Sequence, residues 1–142
     1  MRVRIEQLAS HLQQGLKPLY LISGDEPQQV MEASDAIRAR ARQQGFSERE
    51  VLHVEGGFDW NALNVACGSL SLFAEQRLLE LRLPGGKPGK EGGAALSEYA
   101  ANPPSDTLLL IISGKIDSAS QKSKWFKALD AAGVILQVWP VD

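Results

Sequence analysis

What most limits the fold of this chain is a set of short, unbroken apolar runs, each bounded by polar or turn residues. Thr107 to Ile112 (Thr-Leu-Leu-Leu-Ile-Ile) is the most apolar, and Leu19 to Ile22 (Leu-Tyr-Leu-Ile) is cut off by Ser23-Gly24. Runs that do not alternate must be covered on both faces, as are the strands of a parallel sheet. Glu50 to Val54, Arg77 to Leu83 and Val134 to Val138 bring the expected strands to five. Between the strands the period becomes helical. Ile5, Leu8 and Leu12 precede Gly15, and Val30, Ala33, Ile37 and Ala41 share one face of a helix over 26–44. Asp59 is a suitable N-cap for a short helix bearing Trp60, Leu63, Ala66 and Cys67. Pro84 to Gly93, dense in Gly, Pro and Lys, reads as loop before a helix from Ala94 to Ala101. Ser118 with Gln121 forms a capping box for a helix carrying Trp125 and Leu129, stopped by Gly133. Strands alternating with helices predict a three-layer α/β domain with a five-stranded parallel sheet, central at Thr107–Ile112.

At 142 residues, 44% of them hydrophobic, residues 1–142 can bury the core of one domain without a disulfide or metal staple. Cys67 is the sole cysteine, which excludes an internal disulfide and makes a reducing, cytoplasmic setting the expectation. Fifteen basic against 17 acidic residues, a formal charge of -2, lack the electrostatic signature of a free-standing nucleic-acid binder. No apolar run approaches the roughly 18 residues of a membrane span. Met1-Arg2-Val3-Arg4 leads into Glu6-Gln7 and not into the apolar stretch of a secretory signal. Trp139-Pro140-Val141-Asp142, directly after the last strand, fits a domain taken from a longer protein.

In such a sheet the turn after the first long strand is where helix N-terminal amides hold phosphate. From Gly24 a phosphate loop would place glycine, lysine and serine or threonine where this chain has Gln29, Val30 and Met31. Asp25 and Glu26 suit the helix dipole and repel a nucleotide. The expected magnesium carboxylate at the end of the third strand is replaced by Leu81-Arg82-Leu83. Gly89-Lys90 fails the loop pattern on both sides, at Pro84 and Glu91. His11 and His53 have no metal-ligand spacing, and Cys67 ends an apolar helix face as a buried thiol would. Lys115, Lys122, Lys124 and Lys127 lie near Trp125 and Phe126, a set that could stack single-stranded DNA. The aromatics fall on the apolar side of their helix, however, which leaves the lysines as a solvated face. Arg38 and Arg42 align on one helix face without forming an evident anion clamp.

There remains Ser69-Leu70-Ser71-Leu72-Phe73, in a polar break between helix and strand. Its large apolar side chains either pack beneath the loop or present an apolar plug to a partner's pocket, and spacing alone supports both.

The run Leu19-Tyr20-Leu21-Ile22-Ser23-Gly24-Asp25-Glu26-Pro27, followed by a helix without a phosphate loop, resembles the opening of the delta subunit of the bacterial DNA polymerase III clamp loader. Asp59-Trp60-Asn61, Ser71-Leu72-Phe73 and Trp125-Phe126 are similar to that family at corresponding places, and the similarity runs along essentially the whole chain. The resemblance implies an AAA+-type, RecA-like domain without a functional phosphate loop or cofactor, equivalent to the family's N-terminal domain without its lid and collar domains. It implies a non-catalytic module whose parent subunit belongs to a DNA-directed DNA polymerase holoenzyme acting in replication. It also implies the sliding clamp (beta subunit) as partner, with gamma/tau and delta-prime as fellow loader subunits and DNA met only through the complex. In the family an adjacent Leu-Phe enters a hydrophobic pocket on the clamp, a role that falls here to Leu72 and Phe73, with Leu70, Ser71 and Ser69 alongside. Clamp-binding peptides resemble Gln-Leu-Ser/Asp-Leu-Phe, so Ser69 stands where glutamine is preferred. An active P-loop-like nucleotidase or kinase, disfavoured by Gln29 and Val30, is the alternative. A single-stranded DNA-binding domain using Lys115 to Lys127, disfavoured by the acidic balance, is another.

Overall fold

The computed structural model describes residues 2–24, 26–54, 58–61, 63, 76–83, 87–103 and 106–138. Six strands among them form one sheet: β1 (Arg2–Val3), β2 (Leu19–Gly24), β3 (Phe46–His53), β4 (Gln76–Leu83), β5 (Thr107–Ser113) and β6 (Val134–Val138). Every pairing is parallel, and the order is β1-β6-β2-β5-β4-β3. The helices are α1 (Leu8–Gln14), entered by a 3-10 turn at Ile5–Gln7, then α2 (Pro27–Gln43), α3 (Gly89–Ala101), α4 (Ser118–Gln121) and α5 (Lys124–Ala132).

Alternate residues of each central strand go to opposite cores, which is why the runs had to be apolar throughout. Leu19, Leu21, Leu79, Leu81, Leu109 and Ile111 meet Trp60 and Leu63, with Leu96 of α3 and Phe126 and Leu129 of α5. On the other face Tyr20, Ile22, Leu78, Leu108 and Leu110 meet Leu8 and Leu12 of α1 and Ala33, Ile37 and Ala41 of α2. β5 lies inside the sheet between β2 and β4, as its composition predicts.

The sheet has six strands and not the expected five. Arg2–Val3 pairs with Ile135 and Leu136 of β6, and two residues are too few to carry a period. β3 begins at Phe46, not Glu50, because the charged Glu48-Arg49-Glu50 of this edge strand masks a pattern that Phe46 anchors against the α2 core. α3 begins at Gly89, inside the expected loop. Two glycines are tolerated in its interior because tryptophans press on them: a Cβ on Gly92 would lie 2.5 Å from the Trp60 ring, and one on Gly93 3.1 Å from Trp125 Cδ1. The predicted Ser118 cap is replaced by Asp117, whose carboxylate accepts the Ser120 amide at 2.7 Å. Gln121 instead donates its side-chain amide to the Ile116 carbonyl, and the expected single helix is divided into α4 and α5. Gly133 does end α5, where a Cβ would come within 2.2 Å of the Leu19 carbonyl oxygen.

Candidate functional site

Three places carried functional expectations, and a fourth emerges from the structure. At the turn after β2, Gly24 is pressed against the end of β6, where a Cβ would sit 2.6 Å from the Val138 carbonyl oxygen. α2 then starts with Pro27 in its first turn and Glu26 as an extended N-cap. Of the three positions that a phosphate loop would use, Gln29 and Val30 are partly buried and Met31 is 62% exposed, while Val30 packs on the α2-side core. Asp25 lies outside the described residues. What this turn presents is a helix start docked on the sheet, with an apolar side chain in the lysine position.

The second place is the approach to the Leu-Phe segment. The Asp59 carboxylate accepts the Asn61 amide at 3.0 Å, and the Leu63 amide donates to the Trp60 carbonyl at 3.2 Å, the geometry of a capped helical turn. Trp60 and Leu63 are both buried, and Phe58 meets the Trp60 ring edge-on at 5.2 Å. β4 begins at Gln76, in register with Phe46 of β3. Leu63 is thus held in the core and Gln76 in the sheet. Ser69, Leu70, Ser71, Leu72 and Phe73, with Ala66 and Cys67, lie outside the described residues.

The third place is the lysine-rich stretch. Trp125 and Phe126 are buried at 8% and 1% exposure, whereas Lys115, Lys122, Lys124 and Lys127 are exposed. The two aromatics therefore offer no open face for base stacking, and the lysines form a solvated surface as expected.

The fourth place was missed. Glu80 of β4 is fully buried and three guanidiniums converge on it. Arg38 Nε of α2 donates at 2.8 Å, Arg49 Nη2 of β3 bridges both oxygens at 3.1 Å, and Arg82 donates through Nε at 2.8 Å with its Nη2 in ion-pair contact at 2.7 Å. Burial alone would raise the Glu80 pKa. The three arginines outweigh it and bring the carboxyl from 4.5 down to about 2. With four hydrogen bonds and a further ion-pair contact its oxygens are taken, so this carboxylate does not serve a metal. Arg38 is a partner of this cluster and not an isolated helix charge. A lone glutamate inside Leu-Leu-Glu-Leu-Arg-Leu was the available signal. Elsewhere, His11 is a core residue: its Nε2 lies 3.0 Å from the Tyr20 hydroxyl, which also accepts the Lys17 amide at 3.1 Å. Burial, with the Lys17 charge second, lowers the His11 pKa from 6.5. Among the described residues no three His, Cys, Asp or Glu side chains are grouped as metal ligands, and no helix is long and apolar enough to cross a membrane.

Comparison with known proteins places these features in a family. The family model described as "DNA polymerase III, delta subunit" matches residues 20–138. DNA polymerase III subunit delta of Escherichia coli (strain K12) is 34% identical over 129 residues, covering 91% of this chain and 38% of that protein. The Haemophilus influenzae subunit delta is 34% identical over 134 residues, covering 91% of this chain and 37% of its own length. The chain thus spans well under half the length of these relatives. Among solved structures, a Bacillus subtilis DNA clamp loader delta protein superposes with a TM-score of 0.74 at 20% identity, over 97% of this chain and 43% of its own. A DNA polymerase III gamma subunit-related protein of Thermotoga maritima gives 0.56 at 11% identity, over 97% of this chain and 46% of its own. Both show the same α/β fold.

Proposed function

This chain belongs to the DNA polymerase III delta-subunit family, and from that premise we propose that it is the clamp-binding domain of a clamp loader acting in DNA replication in the cytoplasm. Its partner is the ring-shaped sliding clamp, and gamma/tau and delta-prime are its fellow loader subunits. Leu72 and Phe73 enter an apolar pocket on the clamp, with Leu70, Ser71 and Ser69 beside them. The observation that carries this reading is the Ser69-Leu70-Ser71-Leu72-Phe73 run in a chain of this family, entered from a turn that Trp60 and Leu63 fix in the core. The domain does no chemistry of its own. Tighter binding to an open or strained ring than to a closed one shifts the ring toward opening. DNA is met through the assembled loader, consistent with the net charge of -2 and the buried aromatics of α5.

The test is Leu72→Ala with Phe73→Ala, measured for clamp binding and thermal stability. Two truncated hot-spot residues at about 2 kcal/mol each predict a loss on the order of a thousandfold in affinity, if the losses add. A double mutant that melts near wild type yet fails to bind supports the plug. One that unfolds assigns the pair to the core, and one that binds normally while folded overturns the plug. Ser69→Gln supplies the preferred residue and should tighten binding by up to about tenfold, the effect of one hydrogen bond. Unchanged affinity would place Ser69 outside the pocket.

A further inference from the structure

We infer that the arginine cluster around Glu80 is a docking point for a carboxylate-bearing segment of a protein partner. Three guanidiniums share Glu80, and Asp35, 2.6 Å from Arg38 Nη1, supplies one further carboxylate. Among the described residues the cluster thus keeps one uncompensated positive charge, on a chain of net charge -2. A single bidentate guanidinium would pair one carboxylate, so Glu80 is over-supplied with donors. The excess faces outward: the Arg49 and Arg82 side chains are 47% and 42% exposed, though both are pinned to a residue that is fully buried. Their contacts with Glu80 leave Nε and Nη1 of Arg49 and Nη1 of Arg82 without a protein partner among the described residues. Arginines already fixed in this way lose little side-chain freedom when an anion arrives.

The surroundings select the kind of anion. Strand alternation puts Arg49, Val51 and His53 of β3 on the α2 face of the sheet, and Glu48 and Glu50 on the opposite face. Across the sheet His53 aligns with Arg82 and Arg82 with Ile112, so partly buried Val51 and Ile112 flank the guanidiniums with aliphatic surface. Among the described residues the cluster carries one net positive charge, with Asp35 at its border, in a domain of net charge -2. A polyanion with a charge every few ångströms meets net repulsion there. An Asp or Glu beside an apolar side chain matches both the charge and the aliphatic flanks, as arginine anchors do in protein interfaces.

The experiment follows the arginine Nε–H signals of the 15N-labelled 142-residue chain by NMR, titrated separately with a blocked hexapeptide of alternating glutamate and leucine and with a thymidine hexanucleotide. The peptide should shift Arg49 and Arg82 saturably and bind the more tightly of the two. Arg49→Ala with Arg82→Ala should weaken the peptide by about tenfold or more, as for lost charged hydrogen bonds, whereas Arg4→Ala should not. If the double variant fails to fold in a thermal melt, Arg82→Lys, which keeps the charge and loses the fork, should weaken the peptide instead. No shift with either probe, a shift that survives these substitutions, or tighter binding of the oligonucleotide would overturn the assignment, the last in favour of a phosphate site.

Discussion

Replacing Glu80 by glutamine leaves three guanidiniums converging on a neutral amide whose own N–H groups point at cations. The carboxyl, at about 2 against an ordinary 4.5, is held charged by the folded state. A gap of that size corresponds to about 3 kcal/mol of stability near neutral pH. Breaking a buried ion pair from one side costs about 3–5 kcal/mol, in agreement. Out of a typical total of about 5–15 kcal/mol, Glu80→Gln should be severely destabilised. The pH dependence distinguishes this cause from a packing defect. A depressed carboxyl contributes fully above its unfolded value of 4.5 and loses that contribution as pH falls toward about 2. Urea unfolding of wild type and Glu80→Gln should therefore differ by about 3 kcal/mol near pH 7, by about 2 near pH 3.5 and by less than about 1 near pH 2, with unchanged m-values. A difference under about 1 kcal/mol near pH 7, or one that stays constant as the pH falls, refutes the reasoning.

His11 is held neutral, so its protonation favours the unfolded chain: stability should drop as pH falls below 6.5, and His11→Asn should remove that drop in urea midpoints measured between neutral and mildly acidic pH. Gly92→Ala should lower stability by about 1–3 kcal/mol despite alanine's better helix propensity, because the new Cβ meets Trp60 at 2.5 Å and the Pro88 Cβ at 2.7 Å; a melt at or above wild type would show that the tryptophan moves aside freely. Titration calorimetry with Mg-ATP should give no heat of binding, since Gln29, Val30 and Met31 stand where a phosphate loop needs other residues; a micromolar Kd would restore the nucleotidase reading.

The fold was legible wherever burial is two-sided. Leu19–Ile22 and Thr107–Ile112 have nowhere to go except the middle of a covered sheet, and there they lie. Legibility failed where one side of an element meets water or where tertiary contact overrides local preference. Glu48-Arg49-Glu50 carries no apolar period because β3 is an edge, and its charges are what such an edge requires. Gly89 to Gly93 reads as loop on propensity alone. It is helical because two tryptophans, distant in sequence, need side-chain-free helix surface at Gly92 and Gly93.

Function was legible in a different way. The lost phosphate loop could be read directly, because a phosphate site depends on particular residues at consecutive positions, and Val30 cannot substitute for lysine. The Glu80 cluster could not, since its members at 35, 38, 49, 80 and 82 come from α2, β3 and β4 and meet only through parallel register and the placement of α2 on that face of the sheet. Spacing in one chain cannot show that Arg38 and Glu80 are 2.8 Å apart. What the chain does show is the anomaly of a glutamate among leucines, and burying such a charge in an apolar strand demands cations nearby. Arg82, two residues along the same face, was one of them in plain view. A third arginine exceeds what that demand explains, and it is this surplus, not the buried carboxylate itself, that separates a binding surface from a structural ion pair.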